Sequence, residues 1–358
     1  MWGKSSKRMA VRRQWLLMVT IGFTPFMAAA QGAGPVSVLA SSTLRVTTAA
    51  GSAEMPIDTS LDWNQAQPQV VRAVVIFHGK SRDVKGYFDA ALRAAQLAGA
   101  GGSTIVVAPQ YLNDEDARAH QVPASTLRWR KGTWESGAAS SAPLAVSAYQ
   151  VIDGIVAQLA NTRLFPRLKT IVLAGHSGGG QAIQRYGVVG HSEQIAPKVH
   201  FRYVVANPSS YLYFGEERPK FSGESIAFGV PTDDSCPEFN HWRYGTANVH
   251  GTYVRESAAR GWTILENAFA EKDIVYLLGT ADVDANGEDL DKSCAAELEG
   301  PNRFLRGRAY YAWLHARHND HWNQHLWFAP GVAHSAGKIF TSACGVSALY
   351  DLSACLEQ

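Results

Sequence analysis

Three stretches of this chain are apolar almost without interruption: "VVRAVVIF" at 70–77, "STIVVAPQYL" at 103–112 and "LKTIVLAG" at 168–175. A strand with one wet face alternates polar and apolar residues, whereas a continuous apolar run rich in β-branched residues is buried on both faces. Strands of that kind belong to parallel sheets, whose crossover helices cover both sides. The segments between them carry the helical period. In "DVKGYFDAALRAAQLAGAG", Tyr87, Phe88, Ala91, Leu92 and Ala95 recur on one side before Gly99 closes the helix, and in "APLAVSAYQVIDGIVAQLAN", Val146, Tyr149, Val151, Ile152, Ile155 and Val156 do the same. Further strands are expected at "FRYVVANP", "DIVYLLG" and "HLWFAPG", and "TLRVTT" and "AEMPID" should start the sheet around a turn at Gly51-Ser52. The fold class is therefore α/β, with a central, mostly parallel sheet and helices on both faces.

With 46% apolar and 18% charged residues in 358, the chain can bury a large core, which excludes a disordered chain. Its N-terminus differs from the rest. Lys4, Lys7, Arg8, Arg12 and Arg13 precede "WLLMVTIGFTPFMAAA" with no acid among them, the form of a signal peptide at 1–30 cleaved after Ala30. Arg12-Arg13 leaves Sec and twin-arginine export both open, and either route gives a secreted or periplasmic protein. The apolar run is too short and interrupted for a comfortable span, so no stable membrane span is expected after cleavage. Of 33 basic and 31 acidic residues, five basic ones lie in the signal, so the mature chain is near neutral and implies no nucleic-acid partner. A flexible leader at 31–42 precedes one domain at 43–358, with a cap- or lid-like insertion at about 208–272 where the strand–helix rhythm lapses. Cys236, Cys294, Cys344 and Cys355 are an even set in an exported chain. Of three possible pairings, Cys236–Cys294 and Cys344–Cys355 join the nearest in sequence.

The stretch "IVLAGHSGGGQAI" at 171–183 runs from strand into helix through four glycines. It lacks the Gly-Lys-Ser/Thr of a nucleotide loop and the spacing of a dinucleotide fingerprint. It does contain G-x-S-x-G at Gly175, Ser177 and Gly179, the sharp turn that presents a nucleophilic serine. A serine hydroxyl needs a histidine base and an acid that holds the imidazole. Both occur downstream in loops after strands: Asp282 in "GTADVD", with Asp284 as its rival, and His334 in "PGVAHS". Upstream, "FHGK" supplies a loop whose Lys80 N–H could join that of Gly178 in an oxyanion hole.

With these motifs in order over roughly 43–340, the chain resembles the α/β-hydrolase fold superfamily, in particular exported esterase- or lipase-like serine hydrolases. The resemblance implies a sheet of about eight strands and a Ser177–His334–Asp282 triad cleaving a carboxylic ester of a small molecule, lipid or polymer through an acyl-enzyme, without a cofactor. A peptidase or amidase of the same fold and a non-catalytic binding protein are the alternatives. Tyr111, Trp129, Trp134, Tyr211 and Trp242 are candidates for a substrate pocket, because loops after strands form the rim of such sites.

Two clusters invite a metal. "DVDANGEDLDKS" puts Asp282, Asp284, Asn286 and Gly287 at calcium-loop positions, yet its twelfth residue is Ser293 rather than a glutamate. His315, His318, His321 and His325 crowd "HARHNDHWNQH" without an HExxH spacing or a nearby cysteine. A solvated acidic turn and a polar helix end account for them, and no metal is expected.

Overall fold

The computed structural model describes residues 1–3, 34–223, 225–232, 235–318, 322–353 and 355. Apart from its first three residues, the expected signal peptide lies outside them, as do His321 and residues 31–33 of the expected leader.

Among the described residues there are ten strands: β1 Ser42–Thr48, β2 Gly51–Thr59, β3 Arg72–Phe77, β4 Thr104–Pro109, β5 Thr170–His176, β6 His200–Ala206, β7 Arg218–Ser222, β8 Ser225–Gly229, β9 Asp273–Gly279 and β10 Gln324–Ala329. Eight make one sheet in the order β1-β2-β4-β3-β5-β6-β9-β10. From β4 to β10 all pairs are parallel; the β1–β2 hairpin joins antiparallel at one edge. The hairpin turns at Ala49-Ala50, not at Gly51-Ser52, because Gly51 already pairs with Thr48.

The apolar runs are continuous because both faces of each strand are covered. In β3, Ala73, Val75 and Phe77 enter one core, with the helices Ala148–Leu159 and Gly178–Val189, while Val74 and Ile76 enter the other, with the helices Val84–Leu97 and Ala343–Tyr350. Each of the valine, isoleucine and phenylalanine side chains among them contributes about 1.5–3 kcal/mol on burial.

The insertion holds the β7–β8 hairpin and two helices, Thr252–Ala258 and Trp262–Ala270. Gly261, at φ 97°, separates the two helices. The leader also differs from expectation in its described part. Val36 N–H donates to Asp116 (2.8 Å), Ala40 N–H to Gln110 (2.8 Å) and Ser41 N–H to Asp58 (2.7 Å), so residues 36–41 are tied to the domain by buried acceptors.

Candidate active site

Ser177 stands between β5 and the helix Gly178–Val189, in the unusual backbone conformation φ 59°, ψ −121°. A non-glycine residue there is strained by about 1–3 kcal/mol, which the surrounding packing must impose. The glycines around it explain how. A Cβ on Gly175 would lie 2.2 Å from the Gly179 carbonyl oxygen, and one on Gly179 would lie 2.2 Å from that of Phe77. Only hydrogens fit where strand and helix cross so closely. The Ser177 hydroxyl does not cap the helix that follows, so it has no local structural task.

Loops after β9 and β10 bring the other two residues together. Gly279 ends β9 against the Val332 carbonyl, where a Cβ would stand 2.3 Å away, and Ala281 N–H donates to that carbonyl (3.0 Å). His334 Nδ1 consequently reaches Asp282 Oδ2 at 2.7 Å, with Asp282 only 2% exposed. Asp284 points to solvent and accepts the N–H of Asn286 in its own turn. The His334 ring lies 4.4 Å from that of His176, the residue before Ser177. Burial first, then the charges of His334 and Arg303, hold His176 well below the ordinary histidine range, so it stays neutral beside His334. Its Nδ1 is hydrogen bonded to the Tyr87 hydroxyl (3.0 Å).

The Lys80 amide nitrogen lies 3.4 Å from the position a Cβ on Gly178 would take. Among the described residues neither Lys80 N–H nor Gly178 N–H has a hydrogen-bond acceptor, so both are available to an oxyanion. The loop holding Lys80 is fastened from two sides. Tyr111 N–H donates to His78 Nε2 (2.9 Å), which leaves the ring proton on Nδ1 to donate to the Gly79 carbonyl (2.8 Å). Arg82 N–H donates to the same carbonyl (3.1 Å), and its guanidinium holds the Lys80 carbonyl (2.8 Å) while pairing with buried Asp116 (2.7 Å). Burial pushes His78 down to about 4, consistent with that single-proton arrangement.

A cavity of about 120 Å³ opens beside this loop. Tyr111, Trp129 and Trp134 line it, the rings of Tyr111 and Trp134 stacked at 4.5 Å. Lys80, Arg82, Arg130, Lys131, Glu135 and Asp289 supply its charges. The other two aromatic candidates lie elsewhere. Tyr211 is fully buried and stacks on Tyr310 (4.6 Å), because the chain after β6 turns inward under the helix Arg303–Arg317. Trp242 faces Trp262 and lines a separate cleft with Tyr244 and Cys294, its ring N–H held by the Ser136 carbonyl (3.0 Å).

Glu135 escaped the sequence reading. It is 1% exposed, burial raises its carboxyl above the usual range, and its Oε1 stands 3.4 Å from the Cβ position of Gly178. Its Oε2 has no hydrogen-bond partner among the described residues. No local pattern marks such a residue, since its surroundings come from distant segments. His78 and Arg82 were missed for the same reason, although "FHGK" had located their loop.

The histidine crowd disperses: His315 stacks on Tyr311, His318 is hydrogen bonded to Glu266 (3.1 Å), and His325 sits on β10 near Trp327. Among the described residues no group of three His, Cys, Asp or Glu side chains is placed to hold a metal. Cys236 is bonded to Cys294 and Cys344 to Cys355.

No family model matches the chain, and no curated protein matches it in sequence. Solved structures do resemble it. Poly(aspartic acid) hydrolase-1 from Sphingomonas sp. KT-1 is 21% identical with a TM-score of 0.54, over 86% of this chain and 96% of that one. A poly(3-hydroxybutyrate) depolymerase from Bordetella parapertussis is 19% identical with a TM-score of 0.56, over 87% and 90%.

Proposed function

We propose that this chain, which has the α/β-hydrolase fold, is an exported serine hydrolase that cleaves a carboxylic ester. The observation that carries the reading is the hydrogen-bonded Asp282–His334 pair, its imidazole 4.4 Å from the ring of His176, which precedes a strained Ser177 whose neighbouring Gly178 and Lys80 N–H groups have no acceptor among the described residues. His334 Nε2 takes the hydroxyl proton as Ser177 Oγ bonds to the carbonyl carbon, and the carbonyl oxygen becomes an oxyanion held by the Gly178 and Lys80 N–H groups. Collapse breaks the bond to the alcohol, which leaves with the proton from His334. Water then attacks the acyl-enzyme, again giving its proton to His334, and Ser177 departs with it. Asp282, bonded at Nδ1, keeps Nε2 free for these transfers and stabilises the imidazolium. The disulfides and the basic-then-apolar N-terminus support an exported, oxidised setting.

Amide cleavage is the second reading. One similar structure is named for poly(aspartic acid), whose backbone is an amide.

The mature protein should label covalently at Ser177 with a fluorophosphonate and turn over aryl esters. Ser177→Ala should lose both, with kcat down about 10⁴-fold or more and the melting temperature at or above that of the parent, since no buried contact is removed. A folded protein that neither labels nor hydrolyses any ester or amide overturns the reading. Faster turnover of an anilide than of its matched ester selects the amidase.

A further inference from the structure

The helix Arg303–Arg317 begins against the loop that carries Asp282. Asn302 caps it, its side chain accepting from Leu305 N–H (3.0 Å), and Phe304 N–H, one of the helix's unpaired first donors, is given to the Asp282 carbonyl at 3.2 Å. From the same turn, Arg303 sends its guanidinium to the Asp282 carboxylate: Nη1 lies 3.7 Å from Oδ1, the oxygen not used by His334, and both side chains are 2% exposed. The arm is held at Nε, while Nη2 has no hydrogen-bond partner among the described residues. Arg303 Nε donates to Ser209 Oγ (3.1 Å), in the segment after β6, and Ser209 Oγ in turn donates to the Asp289 carbonyl (3.2 Å). Arg306, one turn on, clasps the Ser209 and Asp291 carbonyls. Asp282 is thus hydrogen bonded by His334 at Oδ2 and by Phe304 N–H at its own carbonyl, with Arg303 in an ion pair at Oδ1.

We propose that Arg303 is a positioning residue for the proposed triad: it restricts the rotamer of Asp282, so that Oδ2 stays turned to His334. This rests on the catalytic reading of Ser177, His334 and Asp282. A carboxylate with one free oxygen in a buried site can turn about χ2; a guanidinium 3.7 Å from that oxygen, an ion pair rather than a hydrogen bond, favours the rotamer that leaves the other for the imidazole. The charged and titratable groups facing this pair are His176 from β5, with Tyr87 behind it, Asp284 and Asp289 from the acid loop, and Arg306 from the same helix. Arg303 takes no part in lining the cavity, so substrate binding should not depend on it.

The test uses Arg303→Met and Arg303→Lys in the mature, oxidised protein, with p-nitrophenyl acetate hydrolysis, fluorophosphonate labelling and thermal unfolding. Arg303→Met should lower kcat about 30-fold at nearly unchanged KM. Arg303→Lys keeps the charge but not the Nε bond to Ser209, so it should recover only part of kcat. A merely structural arginine would lower the melting temperature and leave kcat of the folded protein where it was, and that result overturns the proposal. If Arg303→Met does not fold, Arg303→Lys decides: a kcat equal to wild type refutes the positioning role, and a kcat lowered at unchanged KM supports it. Wild-type protein that fails to label at Ser177 sinks the catalytic reading and this proposal together; wild-type labelling with both variants at wild-type kcat sinks this proposal alone.

Discussion

His78 shows how much one buried side chain can be asked to do. Its two ring nitrogens join the segment after β4, through Tyr111 N–H, to the Gly79 carbonyl beside Lys80. A protonated ring would have to donate at both nitrogens, and Tyr111 N–H would then face a donor. The pH dependence follows in sign. The folded ring titrates at about 4 against an ordinary 6.5, so below 6.5 the unfolded chain binds a proton that the folded one refuses. This stabilisation is fully present above pH 6.5 and is lost as pH falls toward 4, to a total of about 3 kcal/mol. Urea unfolding at stepped pH should show that slope, and His78→Gln, which keeps an acceptor but cannot titrate, should flatten it. An unchanged slope would mean that other groups carry the acid sensitivity.

Among the elements, the turn from β5 into its helix was the most legible in the sequence, because its requirement is steric and local. The glycines at 175 and 179 stand where strand and helix leave no room for a Cβ. Gly179→Ala should therefore push the helix off the Phe77 carbonyl, costing about 3 kcal/mol of stability and most of the activity, read by urea midpoint and ester turnover. Stability and turnover equal to the parent would show that the crossing is looser than these distances imply. The strands were legible too, since burial on both faces leaves an uninterrupted apolar run. The helix Arg303–Arg317 was less so. Its Arg303, Arg306 and Arg308 interrupt the apolar pattern, and two of these arginines are buried for a reason visible only once Asp282, Ser209 and Asp291 are around them.

At the scale of the whole molecule, the two disulfides divide the work unequally. Cys236–Cys294 ties the insertion to the chain beyond the Asp282 loop across 58 residues, whereas Cys344–Cys355 closes 11 near the C-terminus. If the bonds act by restricting the unfolded chain, removing the first costs about 4 kcal/mol and the second about 3. Paired Cys→Ser variants compared by urea unfolding should preserve that order, and a larger loss from the short loop would point to native-state contacts instead. Periodicity and steric demand act between near neighbours in sequence, so the chain alone determined a two-faced parallel sheet, the order of its strands along the chain and the serine turn. Which acid faces His334, which aromatics share a cavity and which arginine backs the acid depend on where distant segments aim their side chains. Asp282 and Asp284 are two residues apart, and Tyr111 and Tyr211 both follow strands. Only the packed fold, by burying one acid against an imidazole and an arginine and one tyrosine beneath a helix, decided between them.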